Sequence, residues 1–352
     1  MPRLSSCLLA LCLTTPLITL AQVSGHISAP DYQSNPKYIA AIAEAKKCIA
    51  QRQFTFAEDA YKKANKIAGG KDTKSLSAII DLQLSMGEYK DAAATATQLE
   101  ALAVSPSEKA SAEMSRGQAL LLQADGKGKP ELVQAADASF KAAIANNPKS
   151  PTAHYYDGKA LARLGQNDDA SQQFKECLSC MSPTDPSYLR AQHFAENPAL
   201  SISKMAPAFE VVALDGSKFN LDAMGGRVVL IDFWATWCGP CNEELPHMKK
   251  IAKEFAGQPL VIISVSWDSD ETKWKNFINK NEMTWVQYRD ADHKLSKSFG
   301  IDAIPHYFTI DSDGVLTSEM LGSGSDVEGK LKKLIARTKA KPLPPQPMTA
   351  GN

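Results

Sequence analysis

Charge of one sign is what this sequence lacks: its 39 Lys and Arg are balanced by 39 Asp and Glu. A formal net charge of zero gives no general attraction for a nucleic-acid polyanion or an acidic membrane, so any electrostatic steering is local. Long apolar runs are missing as well. The uncharged stretch from Leu8 to Leu20 falls short of the ~20 residues that a spanning helix needs. Histidine is scarce, at six, and shows no metal-ligand spacing, so no metal site is expected. Cysteine is also sparse, with seven in 352 residues, yet two pairs stand at a C-x-x-C spacing. A length of 352 residues implies two or more domains, and 44% hydrophobic with 22% charged residues is ordinary for globular chains.

The N-terminus reads as an export signal over residues 1–21. Arg3 gives a positive start, Leu8 to Leu20 the apolar stretch, and Thr19-Leu20-Ala21 the small residues of a cleavage site. An uncleaved membrane anchor is the alternative. No Cys follows that site, so a lipid anchor is not indicated. The expected location is periplasmic or otherwise extracytoplasmic, where disulfides persist. Loss of Cys7 and Cys12 with the signal leaves Cys48, Cys177, Cys180, Cys238 and Cys241, an odd number.

After a lead segment, 22–36, the region 37–190 is rich in Ala, Leu, Lys, Glu and Gln, with apolar positions at helical spacing. Its internal repetition is visible when Ala57, Ala92, Ala136 and Ala170 are aligned. Four residues on lie Tyr61, Ala96, Phe140 and Phe174; seven on lie Ala64, Leu99, Ala143 and Cys177. Five before, Gly87 and Gly165 offer turns between helices, where the first copy has Arg52. The third copy carries an insertion, Ala124 to Pro130. This resembles the tetratricopeptide repeat, stacked pairs of antiparallel helices, and the resemblance implies a surface for a protein partner. An irregular helical bundle, or a purely structural spacer, is the alternative.

Residues 191–204 read as a linker, after which the pattern changes. Strand-like Phe209 to Leu214 and Lys218 to Leu221 flank an Asp215-Gly216 turn, and Val228 to Phe233 is apolar enough for a central strand. Trp234-Ala235-Thr236-Trp237-Cys238-Gly239-Pro240-Cys241 then joins that strand to an amphipathic stretch running to about Phe255. A cysteine at a helix N-terminus meets free N–H groups and the helix dipole, both of which favour thiolate. The second cysteine lies one turn further in, placed to resolve a mixed disulfide. Gly239-Pro240 permits the tight entry and starts the helix.

Residues 205–338 resemble the thioredoxin superfamily, and within it the exported TlpA/ResA-type thiol-disulfide oxidoreductases. The expected architecture is therefore multidomain: all-α tetratricopeptide-like repeats followed by an α/β thioredoxin-like fold. The resemblance makes Cys238 an exposed nucleophile, Cys241 the resolving thiol, and Asp232 a buried carboxylate that moves a proton to or from Cys241. It matches Pro246 to a helix-kinking proline and Glu244 to a glutamate that tunes cysteine acidity, an exposed first-turn glutamate being the alternative. It places a cis-proline at Pro305, with the backbone of Ile304 turned to an extended substrate, and gives Trp237, Gly239 and Pro240 site-supporting roles. Ile304 and the Gly-Pro dipeptide favour a reductase over an oxidase or isomerase.

No cofactor is expected beyond the redox pair itself. Protein disulfides are the expected substrates, and a membrane or periplasmic dithiol the electron donor. Cys177 and Cys180 form either a second redox or structural pair or simple packing, and a zinc site using both C-x-x-C pairs is weaker. His306 is a substrate-contact candidate. Asp268 to Asn281 would be a helical insertion, Val327 to Arg337 the closing helix, and 339–352 a disordered tail.

Overall fold

Asn35, Ser105 and Ser150 each precede a proline, and each caps a helix that begins at that proline. Their side chains accept from Lys37 N, Glu108 N and Ala153 N, satisfying donors that a helix start leaves open. The computed structural model describes residues 31–125 and 129–338, and the chain divides between Ile202 and Ser203 into two compact units. The proposed signal segment, most of the lead and the tail lie outside the described residues. No helix among those described is long and apolar enough to cross a membrane.

The first unit is a run of helix pairs: α1 (Pro36–Ala50) with α2 (Phe54–Ile67), and α3 (Thr73–Met86) with α4 (Tyr89–Leu102). Then come α5 (Pro106–Gln123) with α6 (Pro130–Asn146), and α7 (Pro151–Arg163) with α8 (Asn167–Ser179). The aligned alanines, Ala57, Ala92, Ala136 and Ala170, fall on the second helix of each pair and are completely buried. Small residues there let backbones approach and leave room for the aromatic one turn on. Phe140 and Phe174 fill that room and are themselves fully buried against Gly117 and Gly158. Gly87 and Gly165 turn the chain between helices at φ of 78° and 75°, and Arg52 adopts the same left-handed conformation at 57°. His154 packs inside, its ring nitrogens paired with Gln173 Oε1 at 2.7 Å and the Pro148 carbonyl at 2.9 Å.

The expected linker is not one. Its residues continue helically as α9 (Tyr188–Glu196) and a 3-10 turn, Pro198–Ile202. Ala191, Phe194 and Ala195 are buried, and Phe194 meets Phe174 with ring centroids 5.4 Å apart. A repeat stack leaves its last apolar face open, and α9 covers it.

The second unit begins with a hairpin of β1 (Glu210–Val212) and β2 (Lys218–Asn220). Its five-stranded sheet has the order β5-β4-β3-β6-β7. The strands are β3 (Val228–Trp234), β4 (Leu260–Ser266), β5 (Val286–Arg289), β6 (His306–Ile310) and β7 (Leu316–Leu321). β3, β4 and β5 are parallel, while β6 and β7 run antiparallel to their neighbours. Every residue of β3 is buried, as a central strand covered on both faces requires. Val228, Leu230 and Tyr307 face α10 (Gly239–Glu254) and α13 (Val327–Arg337); Val229, Ile231 and Phe233 face the opposite core with the hairpin. The insertion is α11 (Glu271–Lys280), and α12 (Lys294–Ser298) follows β5.

Candidate functional site

The C-terminal end of β3 delivers Cys238 to the N-cap position of α10. There its sulfur accepts the backbone N–H of Cys241 at 3.2 Å, and Gly239 and Pro240 form the first helical positions. Cys238 and Cys241 are joined as a disulfide, with Cα atoms 5.3 Å apart. The expectation of an exposed Cys238 is corrected, since both cysteines are 6% exposed. Trp234, Ala235, Trp274, Ile278 and Met283 close over them, so position on the helix, not exposure, distinguishes the two sulfurs. The exposed neighbour is Trp237, at 64%.

The peptide between Ile304 and Pro305 is cis, and Ile304 packs against the cluster that holds both cysteines. His306, by contrast, does not reach the surface. Its ring stacks on Phe308 at 4.9 Å and its Nε2 lies 3.2 Å from Glu319, because β6 turns it inward.

Asp232 is buried on β3 and accepts a hydrogen bond from Ser264 Oγ at 2.9 Å. Burial pushes its carboxyl up to about 7; the Ser264 bond opposes that rise and the negative charge of Glu244 adds to it. Such a group exchanges a proton near neutral pH. Glu244 is not a free surface group. Its carboxylate accepts from Gly324 N at 2.6 Å and lies 3.1 Å from His247 Nδ1, tying α10 to the loop after β7. Pro246 sits inside α10.

Cys177 and Cys180 lie at the C-terminal end of α8 with free thiols. Burial pushes the Cys177 thiol up to about 12, and a helix C-terminus disfavours thiolate further. Cys48 is also free and buried, packed with Ala57 and Leu82.

Sequence reading missed Asp268, which is buried and clamps the loop before Cys238, and the indole and hydroxyl groups behind Asp232. A signal was present. Ser264 and Ser266 interrupt the aliphatic strand Leu260–Ser266 at alternate positions, marking one face as polar.

A redoxin family model matches residues 202–335, and a tetratricopeptide repeat model matches residues 131–185. The thiol-disulfide oxidoreductase ResA of Bacillus thuringiensis (strain Al Hakam) is 32% identical over 143 residues, covering 40% of this chain and 83% of the relative. The thioredoxin-like protein YneN of Bacillus subtilis (strain 168) is 30% identical over 132 residues, covering 37% and 76%. Among solved structures, a thioredoxin-family thiol:disulfide interchange protein of Chlorobium tepidum TLS shares 26% identity. It covers 38% of this chain and 97% of its own, with a TM-score of 0.36. Through its second unit, which joins a Cys-Gly-Pro-Cys helix start to this sheet, the chain belongs to the ResA-like thiol-disulfide oxidoreductases.

Proposed function

We propose that this enzyme is an exported reductase of protein disulfides, and that its helical repeats hold a protein partner. The observation that carries the reading is the Cys238–Cys241 pair at the N-cap of α10, between exposed Trp237 and Ile304. In the reduced enzyme, the dipole and free N–H groups of α10 favour the Cys238 thiolate. That thiolate attacks one sulfur of a substrate disulfide; the other substrate sulfur leaves as a thiolate, and a mixed disulfide remains. Cys241 then gives its proton to Asp232 and attacks Cys238 Sγ. The second substrate sulfur departs, two electrons have passed to the substrate, and the Cys238–Cys241 disulfide is left.

A membrane or periplasmic dithiol would reduce the pair again, and the reaction as drawn uses no other cofactor. Trp237 offers an apolar contact to the substrate, and the backbone of Ile304 pairs with an extended segment of it. Support for export comes from Arg3, the Leu8 to Leu20 stretch and Thr19-Leu20-Ala21. Support for the reducing direction comes from Gly239-Pro240 and Ile304.

Equilibration of the protein in defined thiol buffers, with Cys238→Ser as control, tests the direction. A potential near about −270 mV, that of thioredoxin, is expected. A value near about −120 mV, that of the oxidant DsbA, would make it an oxidase or isomerase instead.

A further inference from the structure

Ser264 stands directly beside Asp232 in the parallel register of β3 and β4, and it is fully buried. Its Oγ makes two strong contacts. It lies 2.9 Å from Asp232 Oδ2, and it receives the indole N–H of Trp285 at 2.8 Å. An indole nitrogen can only donate, so it takes up an acceptor site on the hydroxyl and leaves the hydroxyl proton for Asp232. The direction of the chain is thereby fixed: Trp285 to Ser264 to Asp232. A hydroxyl that is itself receiving a hydrogen bond is a better donor, and the effect is largest where water is excluded.

We propose that Ser264 and Trp285 are positioning residues, a hydrogen-bond relay that orients the Asp232 carboxylate and keeps it in its proton-accepting form when Cys241 attacks. The proposal rests on the reading of Asp232 as the proton acceptor.

The surroundings of Asp232 say why a relay is needed. From α10 it meets the like charge of Glu244; from β6 it faces Tyr307, its register partner, whose phenol is kept from ionising by burial first and then by Asp232 and Glu244. α13 brings apolar Val327 and Leu331 to this side of the sheet. Burial and Glu244 both favour the protonated acid, and Ser264 is the group that favours the carboxylate. Without it Asp232 would hold its proton to higher pH, and the resolving step would lose its base near neutrality.

The test uses the full-length protein with a glutathione mixed disulfide on Cys238, following glutathione release against pH. In parallel, the Asp232 carboxyl of the reduced protein is titrated by carbon-13 NMR, with Asp232→Asn to assign the signal. In Ser264→Ala, the titration and the acid limb of the release rate should rise together by about one pH unit. Release should then be ~tenfold slower below the limb and unchanged on the plateau. Trp285→Phe should move both in the same direction by less, and Ser264→Thr, which keeps the hydroxyl, should restore them. The Phe and Thr variants carry the test if the alanine variant does not fold. A limb that is lost in Asp232→Asn but unmoved in Ser264→Ala and Trp285→Phe overturns the relay and leaves the site reading standing. A limb that survives Asp232→Asn overturns the reading of Asp232, and the proposal with it.

Discussion

Thr236 gives both its backbone N–H and its hydroxyl to the carboxylate of Asp268, at 2.9 and 2.5 Å. Ser266 Oγ adds a third hydrogen bond at 2.7 Å, and Asn242 Nδ2 holds the Thr236 carbonyl at 3.0 Å. The peptide two residues before Cys238 is thus fixed on both sides, and Asp268 is 3% exposed. Replacing Asp268 with Ala strands a part-buried N–H and two hydroxyls, one of them fully buried, which should cost about 2 kcal/mol. All five tryptophans lie between Trp234 and Trp285, so fluorescence-monitored urea unfolding reads this unit by itself. A loss below about 0.5 kcal/mol would show that the loop holds its shape without Asp268.

Trp237 separates stability from recognition. It is 64% exposed, so Trp237→Ala should change folding stability by under about 0.5 kcal/mol. An exposed aromatic beside a nucleophile is the kind of residue that anchors a protein partner. The expected result is a KM for a protein disulfide raised ~tenfold, with the rate on a small aromatic disulfide unchanged. Equal losses on both substrates would place Trp237 in the chemistry instead of in binding.

The boundary between legible and illegible features runs along the range of the interactions. The repeat register was readable because Ala57, Ala92, Ala136 and Ala170 obey a local rule, small residues where helices touch, and all four are buried. The cysteine pair was readable because Cys238, Gly239, Pro240 and Cys241 carry a helix start within four residues. Asp268 and Trp285 were not, since Asp268 acts on Thr236, 32 positions away, and Trp285 on Ser264, 21 positions away. The linker was misjudged for the same reason. Nothing local in Asn197-Pro198-Ala199-Leu200 says that a preceding helix buries Phe194 against Phe174. The near-equal burial of Cys238 and Cys241 likewise comes from α11, whose Trp274 and Ile278 lie over them.

Arg52 occupies a turn that two other repeats give to glycine. Its φ of 57° matches 78° at Gly87 and 75° at Gly165, and a side chain there costs on the order of 1 kcal/mol. Arg52→Gly should therefore stabilise the repeat unit, by about 0.5 kcal/mol at most after the entropy of the freer unfolded chain is subtracted. Thermal unfolding followed by far-ultraviolet helicity measures it. A lower midpoint would mean that the arginine makes contacts worth more than the strain.

Gly158 has no room for a methyl group. A Cβ there would lie 2.9 Å from Cζ of Phe174, a ring that is fully buried and wedged against Phe194 and Tyr155. Gly158→Ala gains helix propensity, by about 1 kcal/mol, yet overpacking should cost about 2–3 kcal/mol and leave a net loss. Shrinking the ring should remove the clash, so Gly158→Ala combined with Phe174→Leu should be more stable than the sum of the two single changes predicts. Simple additivity would show that the helices slide apart freely at this crossing.

Asp157 is completely buried on α7, and neither carboxylate oxygen has a partner beyond the neighbouring acid, Asp137 of α6. Asp137 accepts from the Lys141 ammonium at 2.9 Å with one oxygen. Burial, and then the nearness of Asp137, push Asp157 up to about 8. The folded protein therefore keeps a proton that the unfolded chain loses near pH 4. From about pH 4 to pH 8 the folded state binds more protons than the unfolded one, so stability falls as pH rises through that window and levels off above it. Asp157→Asn cannot ionise, and it should flatten this part of the profile. The variant's advantage over the parent should grow steadily from pH 4.5 to pH 8 and amount to several kcal/mol at the upper end, when the two are compared by urea unfolding followed through helicity. Parallel profiles for the two proteins across that range would mean that Asp157 is ionised in the folded state, with Lys141 serving both acids.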